Sequence, residues 1–215
     1  MLERSIPHYS ELQTIISGFV NKFYIKDTFI YDLGCSTGNT YFNLVNDVGF
    51  SFNYVGIDNS ASMIQEFKKK LVSEPQDHIL ELVVHDLNKL IELKSSSVII
   101  LNLTLQFLDF EQRHLLLKNC FEKLVDGGVL LLIEKIKMPS DSFESLFTDI
   151  YYDFKEKNGY SREEINNKRK SLTTVLKPCT FKENEKLLSD AGFQTIESFF
   201  RWFNFAGFIA QKELV

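Results

Sequence analysis

An apolar segment that ends in an acidic residue and a glycine-containing turn constrains this chain more than any other feature. Phe29–Leu33 is strand-like and contains Asp32, and the turn at residues 34–38 leads into a helical pattern. A second apolar segment, at residues 54–57, ends at Asp58. Glycine lets the backbone approach a ligand closely, and a carboxylate at the next strand end can accept both hydroxyls of a ribose. The pattern therefore predicts an α/β sheet that binds a nucleoside.

The same turn favours S-adenosylmethionine over a dinucleotide. The dinucleotide fingerprint is G-x-G-x-x-G, with the pyrophosphate at the helix N-terminus. Here Ser36 occupies the middle glycine position, and the third position holds no glycine either. Asp32 disfavours a pyrophosphate but suits a cationic amino group, and S-adenosylmethionine carries an ammonium and a ribose but no phosphate. A turn without any ligand is the alternative, and Asp58 weakens it.

The rest of the chain predicts one alternating β/α domain over residues 1–215. Strands are predicted at Phe29–Leu33, 54–57, Ile79–Val84, 97–101 and 129–134, and helices at 9–24, 40–46, 60–71, 111–124, 143–157 and 182–191. A helical insertion at about residues 140–175 interrupts the alternation, and an antiparallel pair at residues 195–200 and 204–210 follows. We expect the Rossmann-like fold of class I methyltransferases: a seven-stranded, mostly parallel sheet with a C-terminal antiparallel hairpin.

Polar residues at the ends of the third and fourth strands extend the predicted site. Asp86 follows the third strand, where a carboxylate can accept a hydrogen bond from the adenine amine, although a loop cap is the alternative. Asn102 ends the fourth strand and faces the same crevice. Enzymes that methylate amide or base nitrogens usually place two prolines and an aromatic residue next. Residues 103–107 contain no proline, which argues against that class.

Arg169 is the cation that stands out in the predicted insertion. This segment can cover the open end of the crevice, and an arginine fork binds a carboxylate through two hydrogen bonds. On pattern alone, a solvated arginine on a helix surface is the simpler interpretation. No Ser/His/Asp, Cys/His or paired-carboxylate spacing marks a general base. We therefore expect the chemistry to depend on the cofactor and a second small molecule, which the protein orients.

Charge and cysteine content narrow the class of protein. The net charge is −5, and no stretch of five residues, residues 166–170 included, holds more than three cations. We therefore expect no direct binding of nucleic acid. No apolar stretch is long enough to span a membrane, and the first residues do not have the pattern of a secretory signal. Cys35, Cys120 and Cys179 fit a reduced cytoplasmic protein better than a disulfide framework or a metal site.

Several segments, in order along the chain, resemble the carboxy-S-adenosyl-L-methionine synthases. The most specific are TLQFL at residues 104–108 and NGYS at residues 158–161, since many methyltransferases share the first-strand motif. The other matching segments are RSIPHYS at 4–10, YDLGCS at 31–36, IDNS at 57–60, LNL at 101–103, DFK at 153–155, KR at 168–169 and FNF at 203–205.

The resemblance implies an enzyme that converts S-adenosylmethionine and prephenate into carboxy-S-adenosylmethionine and phenylpyruvate. In that chemistry prephenate loses CO2, the sulfonium methyl loses a proton to give an ylide, and the ylide captures the CO2. The product would supply a partner tRNA carboxymethyltransferase that modifies the wobble uridine, and a homodimer is expected. The alternatives are a small-molecule methyltransferase that uses S-adenosylmethionine and a non-catalytic protein that binds it.

The resemblance also implies roles for individual residues. Arg169 is the residue implied to be catalytic: it would bind the newly attached carboxylate, within one subunit or across a dimer interface. The residues implied to hold the nucleoside are Tyr9 along the ligand, Gly34, Cys35 and Ser36 around the methionine portion, Asp58 and Asn59 at the ribose and adenine, Asp86 and Leu87 in the adenine pocket, and Asn102 near the sulfonium.

Overall fold

The computed structural model describes residues 2–71 and 79–213. The strands are β1 (Phe29–Leu33), β2 (Asn53–Asp58), β3 (Ile79–Val84), β4 (Ser96–Asn102), β5 (Leu124–Lys135), β6 (Thr195–Trp202) and β7 (Phe205–Gln211). The helices are α1 (Leu2–Ser5), α2 (Tyr9–Phe23), α3 (Asn39–Asp47), α4 (Ala61–Leu71), α5 (Phe110–Lys123), α6 (Asp141–Lys157), α7 (Arg162–Leu172) and α8 (Phe181–Asp190), with a 3-10 turn at Leu105–Phe107.

The strands form one seven-stranded sheet in the order β3-β2-β1-β4-β5-β7-β6. The first five strands pair in parallel, and β7 pairs antiparallel with both β5 and β6. The predicted fold class is therefore confirmed, including the C-terminal antiparallel hairpin and the helical insertion before it. Because the chain leaves β1 for β2 on one side and later returns to β4 on the other, the carboxyl end of β1 lies at a topological switch point.

Both faces of the sheet are covered by helices, as a parallel sheet requires. On one face, apolar side chains of α2, α3 and α4 pack on the strands, including Ile16, Leu44 and Phe67. On the other face α5 and α8 supply Leu116 and Leu188. Strands β4 and β5 each contain a continuous run of buried apolar residues. Burial of these runs fixes where each strand ends in the sheet.

The sequence also predicts that Asn158-Gly159 ends one inserted helix, that Ser161 caps the next, and that Asp109 caps the helix after the fourth strand. The first two are confirmed, whereas Asp109 takes the N-cap position without a side-chain cap. Ser161 and Glu164 form a reciprocal capping box at the start of α7, and Gly159, with φ +83°, follows the end of α6. Asp109 precedes α5, but its side chain caps no backbone N–H and instead forms an ion pair with Lys177. The Asp109 carboxylate therefore pairs with a lysine that is distant in sequence and does not cap α5.

The fifth strand begins earlier than its apolar pattern predicts. The sequence predicts residues 129–134 after a turn at 126–128, whereas β5 starts at Leu124 and includes the two glycines of that segment. Gly127 donates its N–H to Lys212 and Lys212 donates back to Gly128, so pairing with the C-terminus holds this stretch. In the described ranges, no helix is long and apolar enough to cross a membrane.

Candidate functional site

A cavity of about 1260 Å³ lies at the carboxyl ends of the central strands. It is bounded by the loops after β1, β2, β3 and β4 and by the inserted helices α6 and α7. The structure brings all of the predicted site residues to this one cavity, namely Tyr9, Gly34, Cys35, Ser36, Asp58, Asn59, Asp86, Leu87, Asn102 and Arg169. Ligands of open α/β sheets bind at this edge.

Asp58, at the end of β2, links the loop after β1 to the loop after β2. One carboxylate oxygen accepts the backbone N–H of Ser36 at 2.9 Å, and the other accepts that of Ser60, also at 2.9 Å. Each oxygen has a second lone pair available, so the carboxylate can still accept two ligand hydroxyls. Ser36 adopts a left-handed φ of 51°, which directs its N–H to Asp58.

Asp32 is the deeply buried carboxylate of the site, with 1% of its surface exposed. Its side chain accepts the Tyr54 hydroxyl at 2.6 Å. Burial raises the pKa of Asp32 to about 6; the hydrogen bond from Tyr54 opposes this rise and the charge of Asp58 adds to it. A carboxyl group in this state gains from a nearby cation, which matches the predicted ammonium of the ligand.

Gly34 leaves space that a side chain would fill. It has φ +93°, and a Cβ at this position would lie 2.0 Å from Oγ1 of Thr104, which belongs to the loop after β4. Asn102, two residues before Thr104, ends β4 and lines the cavity. The absence of a side chain thus brings the β1 and β4 loops together around the position predicted for the methionine portion.

Cys35 and Tyr9 line the cavity as uncharged side chains. Burial raises the pKa of the Cys35 thiol well above its usual value, and the charges of Asp32 and Asp58 add to the rise, so the thiol is a poor nucleophile. Tyr9, at the start of α2, accepts a hydrogen bond from the side chain of Asn39 at 3.3 Å. Burial also raises the pKa of Tyr9. Neither side chain carries charge to the site near neutral pH.

The third strand supplies the end of the cavity predicted for adenine. Oδ1 of Asp86 accepts the backbone N–H and the side-chain amide of Asn88, so the loop-capping interpretation is correct, and Asp86 still lines the cavity. The hydrogen bond from the Asn88 backbone lowers the pKa of Asp86. Beside it, Nε2 of His85 is buried and has no hydrogen-bond partner among the described residues.

Glu134, near the end of β5, organises the loop after β4, and sequence reasoning missed it. Its carboxylate accepts the backbone N–H groups of Thr104, Leu105 and Gln106 at 2.7–3.0 Å. Burial raises its pKa, whereas these hydrogen bonds and the Arg113 charge favour the ionised form. An acidic residue that ends a run of five apolar residues was the signal available in the sequence.

Arg113 on α5 holds the same loop from the other side and was also missed. It is 1% exposed, and its guanidinium donates to the carbonyls of Gln106, Leu108 and Lys177 and to Sγ of Cys179. These bonds connect the loop after β4 to the segment that leads into α8. Its position on a helix with mixed polarity gave no indication of burial.

The inserted helices, together with Lys135 at the end of β5, place four cations along the cavity, a set of residues called here the cationic wall; α6 also contributes the acids Asp141, Glu144 and Asp149 to the lining. Arg169 on α7 is solvent-exposed and lines the cavity, and its side chain forms no hydrogen bond or ion pair with any residue that the structure describes. Tyr152 on α6 is close enough that the Arg169 guanidinium lowers the pKa that burial raises. The other cavity-lining cations of this wall are Lys135, Lys155 and Lys168.

The N-terminal segment holds α6 and the turn before α7 in place. Arg4 donates to the backbone carbonyls of Asn158 and Gly159 at the turn between α6 and α7, and its guanidinium stacks on the Tyr160 ring. The hydroxyl of Tyr151 donates to the carbonyl of Ser5 at 3.0 Å. The segment that carries the first resemblance motif therefore positions the insertion.

The chemistry of this donor set fits S-adenosylmethionine. A carboxylate with free lone pairs suits the ribose hydroxyls, a buried carboxyl group suits the ammonium, and a glycine leaves room for the methionine chain. Among the described residues no three His, Cys, Asp or Glu side chains are grouped as metal ligands.

Comparison with known proteins agrees with this assignment. Residues 30–128 match the family model described as a methyltransferase domain. Proteins named carboxy-S-adenosyl-L-methionine synthase are 38% identical in Methylococcus capsulatus over 99% of this chain and 88% of the relative, and 40% identical in Desulforapulum autotrophicum over 99% and 86%. The relative from Shewanella halifaxensis is 38% identical over 99% and 87%.

Solved structures share the fold. A methyltransferase from Methanosarcina mazei that depends on S-adenosylmethionine superposes with a TM-score of 0.62 at 20% identity, covering 92% of this chain and 98% of its own. Human N-acetylserotonin methyltransferase, solved in complex with S-adenosylmethionine, gives 0.63 at 15% identity over 98% of this chain and 54% of its own.

Proposed function

This chain belongs to the carboxy-S-adenosyl-L-methionine synthase family, enzymes of the methyltransferase fold that use S-adenosylmethionine, and we propose that its carboxyl donor is prephenate. The proposed products are carboxy-S-adenosylmethionine and phenylpyruvate. We treat the whole chain as one functional unit, because helices from its N-terminal third and from its insertion line the same cavity.

The nucleoside half of the proposal uses the residues at the strand ends. Asp58 accepts the ribose hydroxyls, and Asn59, Asp86 and Leu87 surround the adenine. The methionine portion lies along Tyr9 and the turn formed by Gly34, Cys35 and Ser36, with its ammonium near Asp32 and its sulfonium near Asn102. What supports this arrangement is that all of these groups line one cavity.

The carboxylate half of the proposal depends on one observation: Arg169 lines the nucleoside cavity and, within the described chain, has no anionic or hydrogen-bonding partner of its own. Methyl transfer does not require a cation beside the reacting methyl group. A carboxylated product does, because an arginine fork provides two charged hydrogen bonds to a carboxylate. We propose that Arg169 binds the carboxylate that the methyl group acquires.

The proposed reaction balances without a protein base. The bond between the ring and its carboxyl group in prephenate breaks, the ring becomes aromatic, and the ring hydroxyl leaves. A carbon–carbon bond forms between the released carboxyl carbon and the methyl carbon of S-adenosylmethionine. The methyl proton combines with the departing hydroxide to give water. The protein contributes orientation and a cavity that α6 and α7 line on one side.

The biological setting is also part of the proposal. We propose that the product is consumed by a tRNA carboxymethyltransferase that acts on wobble uridine, and that the protein works in the cytoplasm, where its three buried free thiols stay reduced. A homodimer is supported by large apolar side chains left exposed on the insertion, namely Phe143 and Leu146.

The test is turnover with an isotopic label. Purified protein is incubated with S-adenosylmethionine and prephenate that carries ¹³C in its ring carboxyl group, and the small molecules are analysed by mass spectrometry. We expect phenylpyruvate and a carboxylated nucleoside that retains the label. A carboxylated nucleoside that lacks the label, because dissolved bicarbonate supplied its carboxyl group, would exclude prephenate as the donor. A methylated acceptor with no carboxylated nucleoside would also exclude it.

A further inference from the structure

Two lysines of the cationic wall are buried beside each other. Lys155, on α6, is only 9% exposed, and Lys135, the last residue of β5, is partly buried. The Tyr151 ring lies against both: the Nζ of Lys155 is 4.6 Å from the ring centroid and that of Lys135 is 5.3 Å from it. Both residues line the nucleoside cavity.

Neither ammonium has an ion-pair partner in the part of the chain that the structure describes. In the ranges that the structure describes, no carboxylate lies within salt-bridge distance of either Nζ, and neither Nζ donates a hydrogen bond to a described residue. Aromatic faces are the contacts that remain, and for Lys155 these are Tyr151 and Tyr160. Two like charges buried without an anion are unfavourable unless a ligand supplies one.

The electrostatics of the pair agree with the geometry. Burial lowers the pKa of Lys155 to about 8, and the charges of Lys135 and Lys168 lower it further. Burial also lowers the pKa of Lys135; Glu144 opposes that change and Arg169 adds to it. Four cations line this region of the cavity, and they outnumber the three acids that α6 adds to the lining, Asp141, Glu144 and Asp149.

We propose that Lys135 and Lys155 form an anion site for the second substrate. The site binds the carboxylate that stays on this substrate and is not transferred. This rests on the proposed function, in which the donor carries two carboxylates and one of them is transferred. Arg169 serves the transferred carboxylate, so the lysine pair is left for the pyruvyl carboxylate that remains in phenylpyruvate. A cavity of about 1260 Å³ exceeds what a single drug-sized ligand typically fills and has room for both substrates.

The experiment compares Lys155→Met with Lys157→Met, an exposed lysine two residues along the same helix that does not line the cavity. Steady-state KM for prephenate, inhibition by phenylpyruvate and calorimetric affinity for S-adenosylmethionine are measured for each. We expect Lys155→Met to raise KM for prephenate and to weaken inhibition by phenylpyruvate, each about ten- to a hundred-fold. Affinity for S-adenosylmethionine should stay within about twofold, because the nucleoside contacts are at the strand ends.

A pH profile and a conservative variant separate binding from structure. Wild-type KM for prephenate should rise as pH passes about 8, where Lys155 loses its proton, and Lys155→Arg should hold KM low and flat across that range. The groups that face Lys155 are Lys135 from β5, Lys168 from α7, and Tyr151 and Tyr160. An unchanged KM and unchanged phenylpyruvate inhibition in Lys155→Met would overturn the anion site.

Failure of the proposed function has a different outcome. If the wild-type protein does not turn over prephenate, the donor assignment is wrong, and the anion site is then tested with malonate as a simple dicarboxylate probe. We expect malonate to raise the thermal unfolding midpoint of the wild type and of Lys157→Met but not of Lys155→Met. An equal rise in all three proteins would overturn the anion site on its own.

Discussion

One carboxylate oxygen of Asp58 accepts the backbone N–H of Ser36 at 2.9 Å, which ties the end of β2 to the glycine turn after β1. The second oxygen holds Ser60 at the start of α4. The same side chain therefore shapes two loops of the cavity and offers its remaining lone pairs to the ligand.

Asp58→Ala should abolish nucleoside binding. The substitution removes the proposed ribose acceptor and leaves two backbone N–H groups without their partner. Because hydrogen bonds to a charged group are worth about 1.5–3 kcal/mol each, affinity for S-adenosylmethionine should fall about a hundredfold or more. Calorimetry measures the loss, with Asp47→Ala, an exposed acid at the end of α3, as the control. Retained affinity would place the ligand elsewhere.

Asp32 should make binding of S-adenosylmethionine depend on pH. In the free protein its pKa is raised to about 6, and a bound ammonium favours the ionised form. Affinity should therefore be full above about pH 7 and fall by up to about tenfold per pH unit below about pH 6. The titratable and polar groups that face Asp32 are Tyr54, Asp58, Thr40, Cys35 and Tyr9.

The control for this pH dependence is Asp32→Asn, which cannot ionise. Its affinity should be weaker than that of the wild type near pH 8 and nearly constant on acidification. Calorimetric titrations at several pH values measure both proteins. A wild-type affinity that does not change between about pH 5 and about pH 8 would remove Asp32 from the ammonium site.

Gly34→Ala should disturb the site through Thr104. The new Cβ would meet the Thr104 side chain at 2.0 Å and would force alanine into φ +93°. We expect about 1–3 kcal/mol of lost stability together with weaker nucleoside binding. Adding Thr104→Ala should recover part of the stability, since the clash shrinks while the backbone strain remains. Urea denaturation of the single and double variants measures the coupling, with Gly49→Ala, which has open space around it, as the control. Strict additivity would contradict the contact.

Glu134→Gln should destabilise the protein. The carboxylate accepts three backbone N–H groups, and an amide cannot accept all of them because one of its atoms is a donor. The expected loss in the free energy of unfolding is about 2–4 kcal/mol. Denaturation monitored by circular dichroism measures it. Glu66→Gln, on the exposed surface of α4, should change stability by less than about 0.5 kcal/mol, and a similar effect in both variants would argue against the buried network.

The sequence predicts the strand ends well because local pattern and tertiary position agree there. Asp58 and Asn102 follow buried apolar strands, and parallel strands of one sheet end at a common edge. Ile79–Val84 is predicted with its observed bounds even though it is an edge strand. The start of β5 is missed because pairing of Leu124 with Ser96 of β4, and of residues 127 and 128 with Lys212, extends the strand beyond its apolar run.

The residues that support the site are harder to predict. Arg113 and Lys155 lie on helices whose patterns suggest exposure, and only the packing of the loop after β4 and of the insertion buries them. The Asp109 cap fails for the same reason, since Lys177 is far away in sequence and close in space. Arg169 illustrates the converse: it is exposed on its helix, as its pattern predicts, and it also lines the cavity.

The most direct test of the account is a side-by-side titration of Arg169→Ala with carboxy-S-adenosylmethionine and with S-adenosylmethionine. Lys170→Ala, the exposed neighbour on the same helix, serves as the matched control. We predict that Arg169→Ala weakens binding of the carboxylated nucleoside about ten- to a hundred-fold and binding of S-adenosylmethionine by less than about twofold. Equal weakening of the two ligands would show that Arg169 does not bind the transferred carboxylate.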